Sequence, residues 1–191
     1  TPLLYQRLRS ELNRTGAAFE AYSFDDLGAV DLSAVRLFIF PATFFLTPER
    51  RARLEREVFR PGKTALFVYA PGISDGRTLD VARVRALTDT AFGTKGLSWS
   101  ERNGCQVAYV AQHADVDMPL LRRVQERAGV HFYADAGLPV ATDGRLLSVH
   151  AAAGGRRTIR LPSRAARVTE LWSNRVVAEG ADSFDFEFGT P

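Results

Sequence analysis

The sequence predicts an α/β fold: a three-layer open, mostly parallel sheet with helices on both faces, followed by a C-terminal antiparallel β-rich segment. Three observations predict it. First, two continuous apolar runs of strand length, VRLFIF (35–40) and TALFVYA (64–70), flank a helical segment that opens at Thr47-Pro48-Glu49. Strand, helix and strand in that order form a βαβ unit, which implies parallel pairing and a right-handed crossover. Second, another apolar run, QVAYVA (106–111), is followed by a helical pattern. Third, the pattern changes near residue 138, where short strands begin to alternate with turn signals.

The elements follow in order. Leu4, Leu8 and Leu12 recur every four residues ahead of Gly16, so 2–15 reads as an amphipathic helix with a glycine stop. Residues 18–23 read as a short strand. Asp25-Asp26 cap a short helix or turn at Leu27. Thr47 supplies an N-cap hydroxyl, Pro48 fits the first turn and Glu49 favours the helix dipole. That helix runs to about Phe59, with Leu54 and Val58 inward, and Pro61-Gly62 ends it. Residues 77–90 read as a further helix, and 119–128 as another that stops at Gly129. Beyond it come the turn signals Asp143-Gly144, Gly154-Gly155, Ser173-Asn174 and Gly180. Phe184, Phe186 and Phe188 alternate with Asp185 and Glu187, the period of a half-buried strand. The expected division is an α/β domain over 1–137 and a β-rich subdomain over 138–191, an antiparallel meander or half of a small sandwich.

Composition narrows the function classes. The 191 residues are 46% hydrophobic and 25% charged, enough for one packed domain with an appendage and too apolar for wholesale disorder. No apolar run of about 18 residues is present, so no membrane span is expected. The net charge is +3 and the sequence pI about 9.3. Only Lys63 and Lys95 among the 25 basic residues are lysine, and 22 carboxylates lie between the arginines. The densest basic stretch, 50–60, follows Glu49 and carries Glu55 and Glu57, at helical ion-pair spacing. Nucleic-acid binding is therefore not expected. The lone Cys105 excludes an internal disulfide and a multi-cysteine zinc site. The chain starts at Thr1 in a helical pattern with no strand before it, which reads as a piece of a larger protein.

Open α/β sheets bind ligands at the carboxyl ends of their strands. Two such tips are legible, 41–46 and 70–76. The candidate binding residues are Thr43, Phe44 and Phe45 on the first and Tyr69, Pro71 and Asp75 on the second. The plainer alternative is that Pro41 and Pro71-Gly72 only end strands. Trp172, beside an exposed turn signal, is a candidate for stacking on a sugar ring, with edge packing as its alternative. No catalytic residue is assigned. The turn after the second strand, where a nucleophile elbow would place Ser or Cys, carries Ala70 and Pro71. Cys105 with His113, His131 or His150 is the nearest nucleophile–base set, yet Cys105 opens a strand instead of ending one. His113, Asp115 and Asp117 alternate like ligands, but they precede a helix start, where carboxylates favour the dipole. Neither metal nor cofactor is expected, and no phosphate-binding glycine loop is present.

The segments AFEAYSFDDL, VRLFIFPATFFLTPERRARL and GKTALFVYAPGISDG, in this order, resemble the class I glutamine-amidotransferase-like fold. More narrowly, they resemble its trimerisation-domain version in large β-galactosidase-type glycoside hydrolases of family 42. The shared features are Asp25-Asp26-Leu27, Phe40-Pro41, Thr47-Pro48-Glu49, Gly62-Lys63 and Tyr69-Ala70-Pro71-Gly72, and the tail resembles the β-rich C-terminal parts of the same enzymes. The elbow cysteine, the glycine-rich oxyanion loop and the downstream His/Glu pair of active amidotransferases are missing. The resemblance implies a non-catalytic accessory or oligomerisation domain. Its partners would be other domains of a parent hydrolase, identical subunits or carbohydrate. The alternatives are a carbohydrate or small-molecule binding module and a stand-alone hydrolase using Cys105.

Overall fold

The computed structural model describes residues 2–189, and the chain divides into two compact units. One comprises Ala21–Val130 together with the chain up to Arg9. The other comprises Ser10–Glu20 and the chain from His131 onward. Helix α1 (Pro2–Asn13) thus contributes to both, and it buries Leu8 and Leu12 as its four-residue spacing requires.

The first unit is a mixed α/β structure. Strands β1 (Leu37–Phe40), β2 (Thr64–Val68), β3 (Leu97–Arg102) and β4 (Cys105–Val110) form one sheet in the order β1-β2-β4-β3. The pairs β1–β2 and β2–β4 are parallel, whereas β3 pairs antiparallel with β4 at the edge. That edge strand makes the sheet mixed. Its segment LSWSER is amphipathic and shows no apolar run, so it reads poorly until the tight Asn103-Gly104 turn is seen to fold it back on β4.

Helix α2 (Pro48–Glu57) starts as expected, with the Thr47 hydroxyl accepting from the Arg50 amide at 3.2 Å and Pro48 in the first turn. Its ion pairs differ from the expected pairs along the helix. Arg50 and Arg53 both reach Asp25, at 3.1 and 3.6 Å, and Glu55 pairs with Arg102. Leu54, Val58 and Phe59 turn inward onto a core with Phe38, Phe40, Phe67, Val107 and Tyr109. The Phe40 and Phe67 rings stack at 4.8 Å across the parallel pair. Strand β2 is buried at every position, as a continuous apolar run on a central strand requires.

Helix α3 (Ala82–Thr88) is shorter than the expected 77–90. Asp75 accepts from the amides of Arg77 and Thr78, both at 2.9 Å, and the Asp80 amide donates to Ile73 O, so 77–80 is tied into the preceding loop. Helix α4 (Met118–Arg127) is capped by Asp117, whose carboxylate accepts from the Leu120 amide at 2.9 Å. No strand forms over 18–23. Those residues enter no ladder, and Ser23 instead opens a 3-10 turn over Phe24–Asp26 in a reciprocal box with Asp26.

The second unit consists of two hairpins instead of a meander or sandwich half. Strands β5 (Val140–Thr142) and β6 (Leu147–Val149) form one, and the long strands β7 (Gly155–Glu170) and β8 (Arg175–Phe188) form the other. Phe184, Phe186 and Phe188 pack with Ile159 on the core of Ala134, Leu138 and Val140, as the alternation foretells. Asp185 lies on the opposite face, bridging Arg156 and Thr158. The register breaks twice, between Arg160 and Ala165 and between Val168 and Thr169.

Candidate functional site

The two strand tips meet. After β1 and β2 the chain continues as two loops held side by side by backbone bonds. The Gly72 amide donates to Thr43 O at 2.7 Å, the Ser74 amide to Phe44 O at 3.0 Å, and the Leu46 amide to Ser74 O at 2.9 Å. Phe45 and Ser74 pair as an isolated parallel bridge. Two arginines pin the second loop from the helices behind it. Arg51 of α2 donates to Gly72 O at 3.0 Å, and Arg83 of α3 donates to Asp75 Oδ2 at 2.7 Å and to Thr78 O at 3.1 Å. Burial and the neighbouring Arg83 and Arg102 guanidiniums pull the Arg51 pKa down.

Six of the seven candidate binding residues therefore share one surface, in two different roles. Thr43 contributes its carbonyl to the loop pairing, Pro71 is buried, and Asp75 is spent on its own loop. The backbone amides of Thr78 and Arg77 hold the Asp75 carboxyl below its ordinary value. Phe44, Phe45 and Tyr69 present their rings, with Phe45 42% and Tyr69 40% exposed. Trp172 lies in the second unit, in the turn between β7 and β8. It is 97% exposed, and its amide donates to Glu170.

The sharp turn after β2 falls one residue earlier than the sequence suggests. Tyr69, and not Ala70, takes the left-handed conformation, with φ of 67°. A non-glycine residue there is strained by roughly 1–3 kcal/mol and persists only where its surroundings hold it. Two bonds do so: the Tyr69 amide donates to Val110 O at 2.8 Å, and the Tyr109 hydroxyl donates to Tyr69 O at 2.7 Å. The Tyr69 ring is met edge-on by Phe44 and Phe92, each at 5.8 Å, and by His113 at 6.3 Å. Phe92 and His113 are missing from the sequence-derived set. His113 was legible in principle, because it follows the carboxyl end of the strand beside β2. Phe92 sits in a glycine-flanked loop that carries no such signal.

This arrangement is a surface and not a cleft. A hollow lined by Leu8, Pro41, Val68 and His113 at the same strand ends measures about 10 Å³, room for no more than a single water. The elbow position carries a phenol ringed by aromatic edges. Cys105 lies at the opposite end of β4 from His113, fully buried, and burial pushes its thiol up to about 11. A thiol in that state is protonated at neutral pH and supplies no nucleophile. Among the described residues, no group of three His, Cys, Asp or Glu side chains comes together to hold a metal ion.

No protein-family model matches the chain, and no curated protein matches it. Solved structures do. A β-galactosidase from Bacillus circulans sp. alkalophilus is similar over 98% of this chain, with a TM-score of 0.71 and 17% identity. A catalytic mutant of Gan42B, a GH42 β-galactosidase from G. stearothermophilus, is similar over 98%, with a TM-score of 0.60 and 11% identity. The chain spans 37% of the first and 36% of the second, so its fold is that of about a third of a β-galactosidase chain.

Proposed function

We propose that this chain is a non-catalytic accessory domain of a larger carbohydrate-active enzyme of β-galactosidase type, with its strand-tip surface docked against the catalytic part of that enzyme. The trimerisation-domain type, the amidotransferase-like ancestry and the three-layer arrangement of the first unit belong to this reading, as does a division near residue 137. The observation that carries it is the Tyr69 elbow. Where an α/β hydrolase of this topology places its nucleophile, this chain places a partly exposed aromatic ring braced by three others, and the hollow beside it measures only about 10 Å³. Exposed aromatic anchors of this kind are what buried protein contacts use. Partial coverage of the two β-galactosidase chains supports a catalytic partner elsewhere.

The test supplies the catalytic barrel of a GH42 β-galactosidase in trans and measures association by sedimentation, alongside hydrolysis of nitrophenyl β-galactoside. Association is expected, weakened by Phe44→Ala and Tyr69→Ala, with no hydrolysis by the 191-residue chain alone. Hydrolysis by this chain alone, lost on Cys105→Ser, would overturn the reading.

A further inference from the structure

Residues of the β7–β8 ribbon line an open groove of about 350 Å³. Its lining comes from both ends of the ribbon. Arg175, Val176 and Val177 follow the distal turn, whereas Arg156, Asp185 and Phe186 stand near the base with Glu187. A straight ribbon would hold these groups many residues apart. Two register breaks and Gly180, at φ of 55°, interrupt the regular ribbon between the two groups, and such irregularities bend a strand pair.

The lining has a definite chemistry. The lining holds two guanidiniums, Arg156 and Arg175, and two carboxylates, Asp185 and Glu187, so the groove is densely charged yet balanced. Arg156 and Asp185 pair at 2.7 Å, and Thr158 donates to Asp185 at 2.7 Å. The Thr158 hydroxyl and then the Arg156 guanidinium hold the Asp185 carboxyl below its ordinary value, so it is an acceptor at neutral pH. Both members of that pair keep solvent access, Arg156 74% and Asp185 39% by side chain, and so retain unused donors and acceptors. Val176 and Val177 supply apolar surface beside them, whereas the Phe186 side chain packs on the core of the unit.

We propose that this groove binds a neutral oligosaccharide. An anion would meet Asp185 and Glu187, and a cation would meet Arg156 and Arg175. A neutral polyol donates to the carboxylates, accepts from the guanidiniums and lays its C–H faces on the valines. The volume sits at the lower end of the roughly 300–1,000 Å³ typical of small-ligand sites, which suits a disaccharide. The choice of a sugar over other neutral hydrogen-bonding ligands rests on the carbohydrate-active reading above.

The test titrates the 191-residue chain with β-1,4-galactobiose and follows backbone amide shifts, with cellobiose, digalacturonic acid and a galactosamine dimer as comparisons. Saturable shifts confined to residues 175–177 and 185–187 are expected for a neutral disaccharide. Arg175→Ala and Glu187→Gln, with otherwise unchanged spectra, should each weaken binding roughly tenfold. Equal binding of the acidic or the basic dimer, or no saturable shift in the groove with any neutral sugar, would overturn the proposal. Failure here with barrel association intact removes the groove and leaves the accessory role standing; the reverse outcome removes the accessory role alone.

Discussion

The hydroxyl of Tyr109 donates to the carbonyl of Tyr69 at 2.7 Å, tying a buried residue of β4 to the strained turn after β2. Tyr109 is 1% exposed, so the bond forms out of water and fixes the elbow from beneath. Tyr109→Phe keeps the ring in place and leaves the Tyr69 carbonyl without this donor. The expected loss is about 1 kcal/mol of stability in urea unfolding. Burial also raises the Tyr109 pKa above its ordinary 10.0. The folded chain therefore holds this proton more tightly than the unfolded one, and the stabilisation is complete below pH 10 and lost as pH rises past it. Tyr109→Phe should flatten that alkaline decline.

The strain at Tyr69 is separable from its ring contacts. Tyr69→Ala and Tyr69→Gly both remove the ring, and only the alanine retains a Cβ in the left-handed region. The glycine variant is expected to be the more stable of the two, by roughly 1 kcal/mol. A glycine variant no more stable than the alanine one in urea would mean that the backbone at 69 relaxes away from φ of 67°.

Cys105 provides the sharpest test against a catalytic role. Its thiol is pushed from an ordinary 9.0 up to about 11, with burial the leading cause. Alkylation by iodoacetamide at pH 7–8 should be negligible in the folded chain and rapid in denaturant. Because the folded value is the higher one, the associated stability is present below pH 9 and declines as pH rises from 9 toward 11. A thiol that alkylates quickly below pH 7 would restore the hydrolase reading.

The parts of the fold legible in the sequence are those where local and tertiary preferences agree. Residues 35–40, 64–70 and 106–111 announce central strands because burial on such strands demands unbroken apolar runs. Thr47-Pro48 announces α2 because capping is local chemistry. The misses arise where a neighbour decides. Residues 18–23 look like a strand and find no ladder, while LSWSER looks polar and becomes an edge because β4 offers it one. Leu79 has the apolar character of a helix residue, yet it is 77% exposed in a loop that Asp75 closes. At the site, the aromatic character of both tips was readable. Which residue occupies the left-handed turn was not, because it depends on hydrogen bonds that Tyr69 shares with Tyr109 and Val110 on another strand.

Gly16 tests the second unit in the same way. It sits at φ of 80°, and its carbonyl accepts from the amides of Tyr133 at 2.9 Å and Ala134 at 3.2 Å. A Cβ built there would lie 2.1 Å from Ala134 O and 2.8 Å from Asp135 O. Gly16→Ala therefore combines an unfavourable backbone conformation, about 1–2 kcal/mol, with a clash against main-chain atoms that cannot rotate away. The expected loss exceeds the conformational term alone, with His131–Asp135 amides exchanging faster with solvent. Gly62→Ala serves as the control, because Gly62 has φ of 76° and nothing within 4 Å of its built Cβ. That variant should lose only the conformational part. Equal losses at the two positions would mean that the segment 133–135 moves aside freely, and that the seam between Gly16 and Ala134 does not hold the second unit together.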